Sequence, residues 1–120
     1  MPNPSETVTI YHNPRCSKSR QTLDLLHQRG IDPTVVEYLK TPPDATALKR
    51  IIRQLGLRPR DLLRKGEEEY KTAGLDDPTL DDDAIIAAMI EHPKLIERPI
   101  VLAHGKAALG RPPENVLEIL

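Results

Sequence analysis

The fold of this 120-residue chain turns on one stretch, TVTIYHNPRCSKSRQTLDLL, at residues 7–26. Val8 to Tyr11 is a short apolar run that reads as a buried strand. SKSRQTLDLLHQRG follows as a helix, with Leu23, Leu25 and Leu26 on its apolar face and Gly30 as its C-terminal stop. The link from His12 through Asn13, Pro14 and Arg15 to Cys16 carries the single cysteine of the chain. A cysteine placed there sits at a helix N-terminus, where unpaired backbone N–H groups and the helix dipole favour negative charge.

Downstream, TVVEYL (34–39) is β-branched and predicts a second strand. TPPD supplies Thr41 as N-cap, Pro42 in the first turn and Asp44 to complete a capping pattern. The helix behind it carries Leu48, Ile51, Ile52 and Leu55 at helical spacing and stops at Gly56. LRPRDLLRK restarts as a short helix with Pro59 in its first turn, and DDPTLDDDAIIAAMIEHP predicts another with Thr79 as N-cap and Pro93 beyond its end. The runs EEE (67–69) and DDD (81–83) read as solvated helix starts. The period then changes. RPIVLAHGKAALGRPP reads as a strand, a tight His104-Gly105 turn and a second strand. Pro113 opens a last helix with Val116, Leu117 and Leu120 on one side. The order β-α-β, helical insert, β-β-α predicts an α/β chain of thioredoxin-like plan, a central mixed sheet flanked by helices. It is expected to form one domain over residues 1–120, with the helical insertion at about 42–95.

Lys+Arg (17) nearly balance Asp+Glu (18), so the molecule as a whole has no attraction for nucleic acid or an anionic membrane. There is no Trp or Phe and there are three Tyr, hence no aromatic platform for stacking bases. The longest apolar run, AIIAAMI (84–90), is too short to cross a bilayer, and MPNPSET at the N-terminus lacks the basic-then-apolar pattern of a secretory signal. A lone cysteine allows no internal disulfide, and a cytoplasmic protein is expected. Four scattered histidines with one cysteine show no metal-ligand spacing, so neither a metal nor a tightly bound cofactor is expected.

An unperturbed thiol has a pKa of about 8.5 and only a few per cent of it is thiolate at neutral pH. A helix N-terminus, a protonated His12, and Arg15, Lys18 and Arg20 would each lower the pKa of Cys16, and Ser19 is placed to donate a hydrogen bond to the sulfur. An isolated cysteine is more often a small buried hydrophobe. This one lies off any apolar periodic face, in a proline-containing loop among cations, and reads as reactive. CSKS is not a Cys-x-x-Cys dithiol, so an external thiol must resolve any adduct. A Cys-x5-Arg phosphatase loop needs arginine at 22, where Thr22 stands. Arg64, Arg98 and Arg111 form a further basic set. Each alone is an ordinary surface residue, but planar guanidiniums bind tetrahedral oxyanions bidentately, and in a thioredoxin-like fold the residues just before the hairpin lie beside the thiol.

Over essentially its whole length the sequence resembles the ArsC family of arsenate reductases, which draw electrons from glutathione and glutaredoxin. TIYHNPRCSKSRQTL, YLKTPP, LLRK, HPKLIERPIV and GRPPENVLEIL stand in family order and spacing. The resemblance implies a thioredoxin-like fold and an enzyme that reduces arsenate, or a similar oxyanion, with glutathione as co-substrate and glutaredoxin as partner. It implies Cys16 as the nucleophile that attacks arsenic, His12 as the residue lowering its pKa and Ser19 as a contact of the thiolate. Arg64, Arg98 and Arg111 fall on the arginines that hold the arsenate oxygens and the covalent intermediate, and the fold analogy implies a cis Arg98-Pro99 bond. Ser17-Lys18 stand where resistance-operon enzymes typically carry Gly-Thr, Gly110 replaces a cysteine, and the sequence stops at Leu120 without their C-terminal extension. Those departures are similar to the shorter chromosomal ArsC-like branch. Two other readings stay open: a monothiol reductase of glutathione mixed disulfides, its arginines holding glutathione carboxylates, and a regulatory module like the Spx-type relatives that bind RNA polymerase. The latter usually carry the Cys-x-x-Cys switch that CSKS lacks.

Overall fold

Residues 8–120 are described in the computed structural model. They fold as two units, one made of the segment up to Thr41 together with Arg98–Leu120, the other of Pro42–Glu97.

The first unit is built on a four-stranded mixed sheet in the order β2-β1-β3-β4. Strand β1 (Thr9–Tyr11) runs parallel to β2 (Thr34–Val36), with Ile10 opposite Val35, and antiparallel to β3 (Ile100–Ala103), with Ile10 opposite Val101. Helix α1 (Ser17–Gln28) links β1 to β2. Its end is a Schellman motif: Gly30 takes φ 75° and donates to the His27 carbonyl at 2.9 Å, while the Ile31 amide reaches back to Leu26 at 3.0 Å. Strand β4 (Lys106–Leu109) returns antiparallel to β3, with Ile100 opposite Leu109 and Ala103 opposite Lys106. His104 (φ 56°) and Gly105 (φ 72°) both occupy the left-handed region, as a two-residue type I′ turn requires. A 3-10 helix, Pro113–Ile119, ends the chain. Val8, Ile10, Val101 and Ala103 meet Leu26 of α1 and Val116 of the 3-10 helix in a buried cluster. Full burial of a Val, Leu or Ile side chain is worth about 1.5–3 kcal/mol, so this cluster anchors the loop that follows β1.

The second unit is helical: α2 (Ala45–Leu55), a 3-10 turn at Pro59–Leu62, α3 (Glu68–Thr72), α4 (Asp82–Glu91) and a 3-10 turn at Pro93–Leu95. Leu48, Ile51 and Ile52 of α2 and Ile85, Ile86 and Met89 of α4 are buried at helical spacing. The Arg60 guanidinium bonds the carbonyls of Leu75 and Asp77. An antiparallel bridge between Leu63 and Ile96 closes the unit, with the Arg64 amide donating to the Leu95 carbonyl at 2.7 Å. Among the described residues no helix is long and apolar enough to cross a membrane.

Three expectations are corrected. The second strand ends at Val36 rather than running to residue 39, because β1 is itself only three residues long; the amides of Lys40 and Thr41 instead fold back onto the Glu37 carbonyl. Helix α2 is capped by Asp44, whose carboxylate accepts from the Ala47 amide at 2.8 Å, and not by Thr41. Helix α4 is capped by Asp81, and Thr79 belongs to an Asx turn in which its amide and hydroxyl both donate to Asp77. In each helix the aspartate lies three residues before the amide that it reaches, the spacing an N-cap carboxylate prefers.

Candidate active site

The chain leaves β1 through a loop that Asn13 organises. The Asn13 carbonyl accepts from the Cys16 amide at 3.0 Å, its side-chain oxygen accepts from the Arg15 amide at 3.0 Å, and its own amide donates to Ser19 Oγ at 3.0 Å. Arg20 ties the outer side of the loop by donating from its guanidinium to the Pro14 carbonyl at 3.0 Å. These bonds bring Cys16 to the N-cap of α1 with extended backbone, φ −95° and ψ 123°. The Cys16 carbonyl takes the first helical bond, from Arg20, so the amides of Lys18 and Ser19 have no helical partner.

Cys16 is 8% exposed. Burial, the largest single influence, pushes its pKa up, but the Ser19 amide, the Arg98 guanidinium (by hydrogen bond and by charge) and the Lys18 amide together bring it below the ordinary thiol value. The sulfur closes no cap hydrogen bond of standard geometry with the helix, so the two amides act on it mainly as oriented dipoles. Arg111 completes the surroundings, with one guanidinium nitrogen 3.8 Å from the sulfur. Its Nε donates to the Arg98 carbonyl at 2.7 Å, which locks the second arginine to the backbone of the first. The Arg98-Pro99 and Arg111-Pro112 bonds are both cis.

His12 and Ser19 are buried beside this loop, Ser19 Oγ lying 2.7 Å from His12 Nδ1. Burial lowers the His12 pKa from its ordinary 6.5; the Glu37 carboxylate opposes this and Arg20 adds to it. The imidazole is therefore neutral at pH 7, which corrects the expectation of a protonated His12 beside the thiol. With the Asn13 amide donating to Oγ, the arrangement that uses every donor has the Ser19 hydroxyl donate to Nδ1 of an imidazole protonated on Nε2. The hydroxyl expected at the sulfur is thus engaged by His12, and it is the Ser19 amide that acts on Cys16. Among the sequence candidates the first unit brings together His12, Cys16, Ser19, Arg98 and Arg111. Arg64 lies in the second unit, where it donates to Glu97 at 3.1 Å and pairs with Glu67 at 3.4 Å. Two residues outside the candidate set matter as well. Asn13 carried a local signal, a polar residue before proline in a loop; Glu37, whose charge acts on His12 from the loop after β2, carried none.

A thioredoxin-like α/β fold with one thiol close to two guanidiniums, its pKa lowered, is the class that this architecture defines. The chain belongs to the ArsC family, whose family model matches residues 11–119. It is 54% identical over 117 residues to the uncharacterized protein YfgD of Escherichia coli K12, covering 97% of this chain and 98% of that one. It is 55% identical to a protein named arsenate reductase in Neisseria meningitidis, over 94% of this chain and 97% of the other. The solved structure of an arsenate reductase from Vibrio cholerae superposes with a TM-score of 0.93 at 59% identity, covering 95% of this chain and 98% of that one.

Proposed function

We propose that this protein is an arsenate reductase that works through a Cys16 thiol-arsenate adduct, with glutathione as co-substrate and glutaredoxin as the partner that regenerates the thiol. The observation that carries the reading is the pair of guanidiniums on the sulfur: Arg98 lowers the thiol pKa and Arg111 stands 3.8 Å away. A nucleophile beside preorganised positive charge suits attack on a doubly charged tetrahedral oxyanion. The relatives named arsenate reductase support the choice of arsenic.

In this scheme Arg98 and Arg111, with Arg64 as the third arginine, hold the arsenate oxygens. The Cys16 thiolate forms an S–As bond and an oxygen leaves arsenic as water after protonation. Glutathione adds its sulfur to arsenic and a second oxygen leaves as water. The two sulfurs then join in a disulfide as both S–As bonds break: one bonding pair forms the S–S bond, the other stays on arsenic, and arsenic leaves at the +3 level and takes up water to give arsenite. A glutaredoxin thiolate attacks the glutathione sulfur and frees Cys16 as a thiolate. His12 and Ser19 position the loop. The scheme needs no metal and no tightly bound cofactor, and a single unpaired thiol suits the reducing cytoplasm.

The test is arsenate-dependent NADPH oxidation in an assay coupled through glutathione, glutaredoxin and glutathione reductase. Turnover is expected from the native protein and none from Cys16→Ser; turnover that survives the substitution, or its absence from the native protein, overturns the reading.

A further inference from the structure

We infer that the cavity at the carboxyl ends of β1 and β2 is the binding site for a small peptide thiol bearing both an ammonium and carboxylates, the co-substrate class that the proposed reaction consumes; the inference rests on that reading. The cavity has a volume of about 310 Å³ and is lined by residues that include His12, Asn13 and Arg15 after β1 and Glu37, Leu39 and Lys40 after β2. Its size falls within the roughly 300–1,000 Å³ of small-molecule clefts. Because β1 and β2 are parallel, both of these loops leave the same end of the sheet.

Sheet order separates this cavity from the oxyanion side. Arg98 and Arg111 flank the β3-β4 hairpin, and β3 pairs with β1 on the edge opposite β2. The Cys16 loop follows β1 and so has two flanks, one carrying the guanidiniums and the other the cavity. With one cysteine in the chain, the second sulfur of the reaction must come from outside and reach the loop from a direction that the oxyanion does not fill.

The lining fits a zwitterion. Arg15 and Lys40 offer cations for carboxylates, and Glu37 offers a carboxylate for an ammonium. The Glu37–Lys40 pair is long, 3.9 Å, and exposed, so each group can exchange its partner for a ligand at little cost. Leu39 is 37% exposed, one of two exposed large hydrophobics among the described residues, and it gives the cavity an apolar wall for the ligand's methylene stem.

The test uses S-methylglutathione, which has the charges of the tripeptide and no free thiol, titrated into the full chain by calorimetry and by amide NMR. Saturable binding is expected at millimolar concentrations, with shifts centred on residues 13–15 and 37–40. Lys40→Glu and Arg15→Glu should each weaken it about three- to fivefold, the scale of one exposed ion pair. Arg29→Glu, at the far end of α1, should leave it unchanged. No binding, equal binding in the Lys40 and Arg15 variants, or shifts centred on Arg98 and Arg111 would overturn the inference. The probe cannot turn over, so the two readings fail separately: native protein that binds it on these residues yet reduces no arsenate would sink the reductase proposal and leave this site in place.

Discussion

The Ser19 hydroxyl lies 2.7 Å from His12 Nδ1, while the amide of the same residue acts on the Cys16 sulfur. One residue thus joins the buried histidine to the thiol loop without passing charge between them. Ser19→Ala keeps the amide and strands the buried Asn13 N–H, a loss of about 1–3 kcal/mol. The melting temperature should therefore fall by several degrees while the pH midpoint of iodoacetamide alkylation at Cys16 hardly moves. A large rise in that midpoint would return the hydroxyl to the sulfur.

Acid should loosen the fold through His12. Its folded pKa is lowered, by burial first, so the unfolded chain binds the extra proton in the window below its own value of about 6.5. Stability from this group is complete above that value and is lost as pH falls through the folded pKa. Melting curves from pH 7.5 to 5 should show the decline in the native protein and a flatter profile in His12→Gln. Parallel profiles would mean that His12 titrates as freely in the folded state as in the unfolded one.

The two guanidiniums at the thiol should separate by assay. Arg98 lowers the Cys16 pKa directly, so Arg98→Ala should raise the midpoint of thiolate absorbance at 240 nm toward the ordinary value of about 8.5. Arg111 stands 3.8 Å from the sulfur with Nε already spent on the Arg98 carbonyl, and Arg111→Ala should shift the midpoint less. Its larger effect should fall on the KM for arsenate, by about tenfold for the loss of one charge-assisted contact. Identical midpoints in the two variants would contradict this division.

Helix capping gives a stability test of the second unit, with a control at Thr41 in the first. Asp44→Ala and Asp81→Ala should each cost about 0.5–2 kcal/mol in urea unfolding. Thr41→Ala, at a residue that caps nothing, should stay within about 0.5 kcal/mol of the native protein.

Features specified within a few residues of chain were legible beforehand. Cys16 at the head of α1, the Gly30 stop and the His104-Gly105 turn each follow from local backbone chemistry and appear in the structure as expected. What escaped is set by contacts between distant segments. The early end of β2 follows from the length of its partner, and the neutral state of His12 follows from burial. Gly110 stood out in the sequence only as a departure from the family's cysteine. In the structure a Cβ there would meet the Thr22 side chain and approach Pro99 Cγ to 2.7 Å, a fact that no local pattern encodes.

The hairpin that carries Arg98 and Arg111 at its two feet works as a caliper. Its jaws are the arginines, and its setting is the strand register from Ile100 opposite Leu109 to Ala103 opposite Lys106, extended by the Gly110 amide on the Pro99 carbonyl. Inserting one residue at His104-Gly105 would slide one jaw by about 3.3 Å and turn its side chains to the other face. The gap between the two guanidiniums is thus gauged by a solvent-facing turn at the far end of the sheet.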